Sequence, residues 1–577
     1  MSVVLEFNKE KVNGSIGSTL YECLHGAGIL LPSSCGGSGR CGECRLIIEE
    51  GEALLSRRTN PELHMASGQR LACQAEILAD SGLIRCFSGA GARQRIEESG
   101  IAVSGQFTRL NPSVQVSGEQ VRIDGRVIDS YRGGVYGAAL DIGTSTVVLR
   151  LADLETGEII STDSFVNPQF FAGSDVISRI GYASDNGPGT LQQALVQQIN
   201  RIFAGSGIPN DNIYEMVVAG NPAMRDIFLG FDVSGLGQEP FQSILEAEQK
   251  LGKRESTSVH LSPSAIGLQI NSNGRIYGLP FPGCHVGGDI SAGILASGLA
   301  WDDRNIVFLD LGTNSEIVIK SRNRIVAASC PAGPAFEGGQ IKCGMPGVPG
   351  AVEAVRICPD STILLEVIGG LPPSGFCGSG LISLLGEMFE TGLVSSRGRI
   401  PDDLKREFRG AGFSGPADAG LVKNPGWSSF SSRSFSIETP VSGSKQLVVS
   451  GPEGLFMDEE DISRLLQAKA AITAGLRIAL RYCDLRMDDI DRFYLAGAFG
   501  RYLNLDSASK TGLLPNLEEG KFYRLGNSSI EGATMALLSS VSRKKIEKVV
   551  KNITHLELET DPDFFDLYTD GCLLGEI

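Results

Sequence analysis

The chain of 577 residues holds no apolar run approaching the ~18 residues that cross a bilayer, so no membrane-spanning helix and no membrane partner are expected. It has no excess of basic charge. Lys and Arg number 51 against 67 Asp and Glu, a formal charge of −16, which argues against a nucleic-acid partner. No G-x-x-x-x-G-K-[ST] occurs, which excludes a P-loop enzyme. Met1-Ser-Val-Val-Leu-Glu-Phe-Asn-Lys reads as a first strand rather than a signal peptide. The 13 cysteines are odd in number and unevenly spread. In a large chain without a leader this favours a reducing, cytoplasmic setting and metal binding over a disulfide framework.

What is present is a globular composition, 42% apolar and 20% charged. Length alone suggests roughly four domains of ~150 residues. Glycine accounts for 73 residues, well above the typical ~7%, as tight turns and phosphate loops require. Four cysteines form a pattern. Cys35, Cys41, Cys44 and Cys73 are spaced C-x5-C-x2-C-x28-C, the first three on one Gly-rich loop. Such a loop wraps two irons with little backbone strain, and a distant fourth thiolate closes the site. Plant-type 2Fe–2S ferredoxins use C-x4-C-x2-C…C, and this loop, one residue longer, resembles the adrenodoxin-like class. A zinc site is the alternative, but zinc sites favour two paired C-x2-4-C knuckles and only one is present. Cys23 and Cys86 have no spacing partners and read as buried thiols. Gly37-Ser-Gly39-Arg-Cys-Gly42 fits G-x-G-x-x-G, but it lies between two candidate iron ligands and outside any strand–helix context, so it is rejected as a dinucleotide site. Strand-like Val3–Phe7, a short helix over 19–27 and a strand from Leu46 fit the β-grasp pattern that these ferredoxins share, by resemblance.

A second feature is a repeat. Asp141-Ile-Gly-Thr-Ser follows Gly137-Ala-Ala-Leu and precedes Thr146-Val-Val-Leu. Asp310-Leu-Gly-Thr-Asn follows Ile306-Val-Phe-Leu and precedes Glu316-Ile-Val-Ile. A strand ending in an acid, a glycine and a hydroxyl makes a turn rich in backbone N–H donors. Such a turn holds phosphate, while the acid holds a metal ion through water. The candidates are therefore Gly143, Thr144, Ser145 and Thr146 in one turn and Gly312, Thr313 and Asn314 in the other. Asp141 and Asp310 are the acids, and Mg is the ion expected between them. Helical periodicity marks Leu191–Phe203 and, most clearly, residues 459–482, with Asp458 as N-cap. A strand from Phe493 then leads into Gly497-Ala-Phe-Gly500.

Alternating strands and helices indicate an α/β class. The duplicated strand–turn–strand and the late Gly-rich loop resemble the superfamily of sugar kinases, acetate kinase, actin and heat-shock chaperone ATPases. That resemblance implies ATP gripped by the two turns, with Gly497, Ala498 and Gly500 beside adenosine. The connecting motifs would be Val217-Val-Ala-Gly220-Asn221 and Cys377-Gly378-Ser-Gly380. Asp289 and Glu337, in Gly-rich segments, are candidates to act on the attacking water, with a plain tight turn the alternative for each. The expected architecture is multidomain, α/β and α+β. A 2Fe–2S ferredoxin occupies 1–92, a connecting segment with room for a small hairpin 93–135, and a duplicated actin-like ATPase 136–577, in subdomains of about 136–285 and 286–577.

A 2Fe–2S ferredoxin fused to an actin-like ATPase resembles the reductive activators of corrinoid-dependent methyltransferase systems. Asn167-Pro-Gln169, Gly173-Ser-Asp-Val-Ile-Ser-Arg-Ile180, Asn221-Pro-Ala-Met224, Ala332-Gly-Pro-Ala-Phe-Glu-Gly338 and Gln467-Ala-Lys-Ala-Ala-Ile472 look like recurring strings of that family. The resemblance implies ATP-dependent reduction of a partner's Co(II) to Co(I), served by a low-potential electron donor, and is compatible with a homodimer. None of the five histidines has the D-x-H-x-x-G context, so cobalt belongs to the partner. Cys483 and Cys572 stand alone, unlike the branches with a C-terminal four-iron cluster. The rival expectation is a small-molecule kinase whose ferredoxin domain regulates it by redox state.

Overall fold

The computed structural model describes the chain except residues 1–2, 8–9, 28, 30, 32–38, 40–43, 64, 66–67, 89–97, 101–109, 174, 313, 323, 359–361, 402–429, 440–443, 450–453 and 576–577. The N-terminal unit is a five-stranded sheet in the order Glu10–Gly14, Val3–Phe7, Gly82–Ser88, Arg45–Glu50, Gln69–Leu71. Val3, Leu5 and Phe7 alternate inward as a half-buried strand must, and meet Leu20 and Leu24 of helix Leu20–Gly26. That helix starts at a reciprocal capping box, in which Thr19 Oγ1 accepts from Glu22 N and Glu22 Oε2 accepts from Thr19 N.

Where the sequence suggests a small hairpin, the structure has three strands, Val114–Ser117, Gln120–Ile123 and Arg126–Ser130. Their Val114, Val121 and Ile123 pack with Val135, Leu154 and Tyr214, so this segment shares a core with the large C-terminal unit.

In that unit two six-stranded sheets share one five-strand topology, the sixth strand being added at opposite edges. The first runs Ile159–Val166, Thr146–Asp153, Tyr136–Ile142, Ile213–Gly220, Arg275–Gly278, Val259–Leu261. The second runs Phe522–Gly526, Arg492–Ala496, Ile306–Leu311, Ser315–Lys320, Ile325–Cys330, Ile553–Leu556. In each, the Asp-bearing strand pairs antiparallel with the strand after its turn and parallel with a later strand. Helices Gly288–Ser297 and Ser528–Leu538 cross between the two lobes. A Cβ at Gly532 would stand 1.9 Å from Ala292 O, so only glycine permits this approach. The second lobe also carries a third sheet that includes Ala351–Ile357, Thr362–Val367 and Phe430–Glu438, which no sequence motif announces. The long helix spans Glu459–Tyr482, and Asp458 Oδ1 accepts from Asp461 N at its start. Among the described residues no helix is long and apolar enough to cross a membrane.

Candidate functional site

The two Asp turns face one another across a cavity of about 290 Å³ between the lobes. Asp141, Gly143, Thr144, Ser145 and Thr146 line it from one side, and Asp310, Gly312 and Asn314 from the other. Thr313 lies outside the described residues. The first turn is fixed from behind by buried Asn167, whose Nδ2 donates to Gly143 O at 2.8 Å and whose N donates to Ser145 O at 2.9 Å. Satisfying these carbonyls from outside leaves the turn's N–H groups for the cavity. Asn221, the N-cap of helix Pro222–Leu229, adds a bond from Nδ2 to Thr144 Oγ1 at 3.3 Å.

Four acids converge at the base of this cavity: Asp141, Asp289, Asp310 and Glu316. Asp310 and Glu316 are direct cross-strand partners, an arrangement of like charges that destabilises a sheet unless a cation compensates. Burial first, then the neighbouring Asp289 and Asp141, raise Asp310 to about 7. Burial and Asp141 likewise raise Asp289 to about 7. Glu316 is pushed well above the usual carboxylate range by burial, Asp289 and Asp310. Asp141 is raised by burial, and opposed by donation from Ser529 Oγ at 2.7 Å and Asn527 Nδ2 at 2.9 Å. An all-oxygen donor set, whose crowded acids ionise more readily once a cation is bound, fits a hard divalent ion such as magnesium. Among the described residues no three such side chains stand close enough to ligate one ion directly, so the fit is through bound water.

Helix Gly378–Glu390 aims its N-terminus at the cavity, with Cys377, Gly378 and Ser379 in the wall. Gly497 and Ala498 stand opposite. A Cβ on Gly497, at φ +82°, would lie 2.7 Å from Asp310 Oδ1, so a side chain here would dislodge the acid. Gly380 and Gly500 are not among the cavity-lining residues; a Cβ on Gly380 would stand 2.0 Å from Val352 O, whereas one on Gly500 would meet Leu495 at an ordinary 3.5 Å. Glu316, Asn527 and Ser529 carry no motif that singles them out. Nothing local marks any of the three.

In the N-terminal unit Cys35 and Cys41 lie outside the described residues. Cys44 and Cys73 are buried in one core and held on adjoining segments: Arg45 pairs with Leu71, and Ala72 N donates to Cys44 O at 2.8 Å. A buried ion pair between Glu62 and Arg70, 2.8 Å long, braces the segment before Cys73, and Gln74 Nε2 lies 3.6 Å from Cys73 Sγ. Two neighbouring thiols with an amide donor beside one sulfur fit an iron–sulfur cluster. Cys86 sits in the strand core, its thiol pushed up to about 12 by burial, an inert buried group. Cys23 is half-buried.

Family models match most of the chain: a 2Fe-2S iron-sulfur cluster binding domain over 6–78, the RACo middle region over 136–302, and the C-terminal domain of RACo, the ASKHA domain, over 304–412 and 417–576. Corrinoid activation enzyme RamQ of Eubacterium limosum is 29% identical, over 100% of this chain and 99% of that protein. The [Co(II) methylated amine-specific corrinoid protein] reductase of Methanosarcina barkeri is 25% identical, over 75% of this chain and 76% of its own length. Among solved structures, the reductive activator for corrinoid,iron-sulfur protein superposes with a TM-score of 0.66 at 28% identity, covering 100% of this chain and 98% of that one.

Proposed function

The chain belongs to the RACo family, and from that premise we propose that it is an ATP-hydrolysing reductive activator that returns a partner corrinoid protein from Co(II) to Co(I). The observation that carries this reading is the union, in one chain, of a ferredoxin unit with two neighbouring buried thiols and a two-lobed cleft in which four acids converge. When bound, a 2Fe–2S cluster supplies one-electron chemistry, and magnesium supplies positive charge for phosphate.

Cys35, Cys41, Cys44 and Cys73 hold the cluster. Asp141 and Asp310 hold magnesium through water. The N–H groups of 143–146 and 312–314 hold the phosphates of ATP, and Gly378, Gly497 and Ala498 border its nucleoside. Asp289, with a pKa of about 7, is suited to take a proton from the attacking water. The electron comes from a low-potential donor.

Co(II)/Co(I) is a low-potential couple, so the transfer runs uphill. A gap of ~300 mV for one electron is about 7 kcal/mol. Placement cannot remove that cost, whereas a two-state element can offset it. Inverting an equilibrium from 1:99 to 99:1 takes ~5.5 kcal/mol of differential binding. Two lobes that close on a nucleotide form such an element. Loop residues Glu337, Pro346 and Gly347 line the cleft, and the loop between them carries Cys343, which lies within electrostatic reach of Arg45, the residue after Cys44.

The fate of the γ-phosphate tests this reading. Incubation with ATP and magnesium is expected to release inorganic phosphate as the phosphoryl product. Stoichiometric transfer to a sugar or other small molecule would reject the activator reading in favour of a kinase.

A further inference from the structure

Ser145 Oγ donates to Glu337 Oε2 at 3.3 Å, a bond that spans the cleft between residues 192 positions apart. Both residues line the cavity, and Ser145 belongs to the first phosphate turn. A serine hydroxyl has one proton to donate. It cannot serve the Glu337 carboxylate and a phosphate oxygen together. The two anions also repel each other in a cleft that five further acids already line.

Glu337 is poorly placed to move alone. It ends a tight turn, Pro334–Glu337, and Phe336 O lies so near Gly378 that a Cβ there would stand 1.8 Å away. Gly338, at φ +79°, closes on Met345, and Gly344 closes on Gly338, so residues 338–345 form one compact loop. The loop is pinned at its far side. Phe376 N donates to Cys343 O at 2.8 Å, Lys342 N donates to Asp461 Oδ1 at 3.2 Å, and Lys342 Nζ meets Asp458 and Glu460 at the start of the long helix.

We infer that Glu337 is the nucleotide-sensing latch of this chain: its carboxylate, held in place by the pinned loop 338–345, joins the lobes through Ser145, and nucleotide phosphate displaces it from that hydroxyl. This rests on the nucleotide cleft proposed above and adds the residue that reads its occupancy. It gives Glu337 a role other than acting on water.

The test is calorimetric titration of the full chain with ATP, ADP and AMP. A residue that binds phosphate loses affinity when truncated, whereas a competing carboxylate does the reverse. Glu337→Ala is expected to bind ATP about fivefold tighter or more, with a gain that shrinks from ATP to AMP. Glu337→Gln, which removes the charge at nearly constant shape, is expected to shift affinity the same way and covers the case in which the alanine variant does not fold. Unchanged or weaker ATP binding by the folded variants would overturn the latch. Absence of ATP binding by the wild type would overturn the cleft reading itself, and the wild-type arm separates the two failures.

Discussion

Ser529 Oγ donates to Asp141 Oδ1 at 2.7 Å, across 388 residues of chain. Ser529 lies in the first turn of helix Ser528–Leu538, so the acid of the first Asp turn is held by an element folded from the far end of the sequence. Hydrogen bonds to charged groups contribute about 1.5–3 kcal/mol. Ser529→Ala is expected to raise the magnesium concentration needed for half-maximal ATP hydrolysis about tenfold or more. An unchanged magnesium dependence would remove Asp141 from the ion's surroundings.

Asp289 and Asp310 both stand at about 7, raised first by burial and then by acidic neighbours, Asp141 among them. An acid with a raised pKa keeps a proton in the folded state that the unfolded chain has released. Stability without a divalent ion should therefore fall as pH rises from about 4 through about 7. Magnesium neutralises the acids once they ionise, so it should lift the melting temperature more at about pH 8 than at about pH 5.5. Thermal scans at the two pH values check this; an equal lift at both would contradict it.

Buried Asn167 fixes two carbonyls of the first turn without lining the cavity. Asn167→Ala should weaken ATP binding while leaving cluster absorbance intact, since the cluster lies in the other unit of the chain. Titration of nucleotide beside an absorption spectrum separates the two readouts.

Cysteine substitutions should divide sharply. Cys73→Ala is expected to abolish the 2Fe–2S absorption and electron-paramagnetic signals. Cys86→Ala, in the strand core, is expected to keep both at some loss of stability, about 1 kcal/mol for a small cavity. Loss of the cluster in Cys86→Ala with retention in Cys73→Ala would reverse the ligand assignment.

Glu215 is fully buried and accepts from Arg543 at 2.8 and 3.0 Å and from Arg275 at 2.6 and 2.9 Å. Removing Arg543 leaves a buried carboxylate partly uncompensated. Arg543→Ala should cost about 3 kcal/mol in urea denaturation, toward the low end for broken buried pairs because Arg275 remains.

The parts legible in the sequence are those where chemistry and spacing coincide locally. The long helix reads from its three- and four-residue steps and its Asp458 cap. The Asp turns read from an acid, a glycine and a hydroxyl between two apolar runs. The hidden parts depend on partners distant in sequence. Glu316 enters the acid cluster because antiparallel pairing sets it opposite Asp310, and Asn527 and Ser529 reach Asp141 only when the lobes meet. Gly380 carries a role no motif shows, since its missing Cβ lets the backbone of Val352 approach, and such a glycine looks the same in sequence as one that lets a ligand approach.

The most direct measurement is the cobalt absorption spectrum of a Co(II) corrinoid protein mixed anaerobically with this chain and a reductant, with and without ATP. Co(I) is expected to accumulate when ATP is present and to stay low when it is absent. Equal Co(I) in both mixtures would contradict ATP-driven activation.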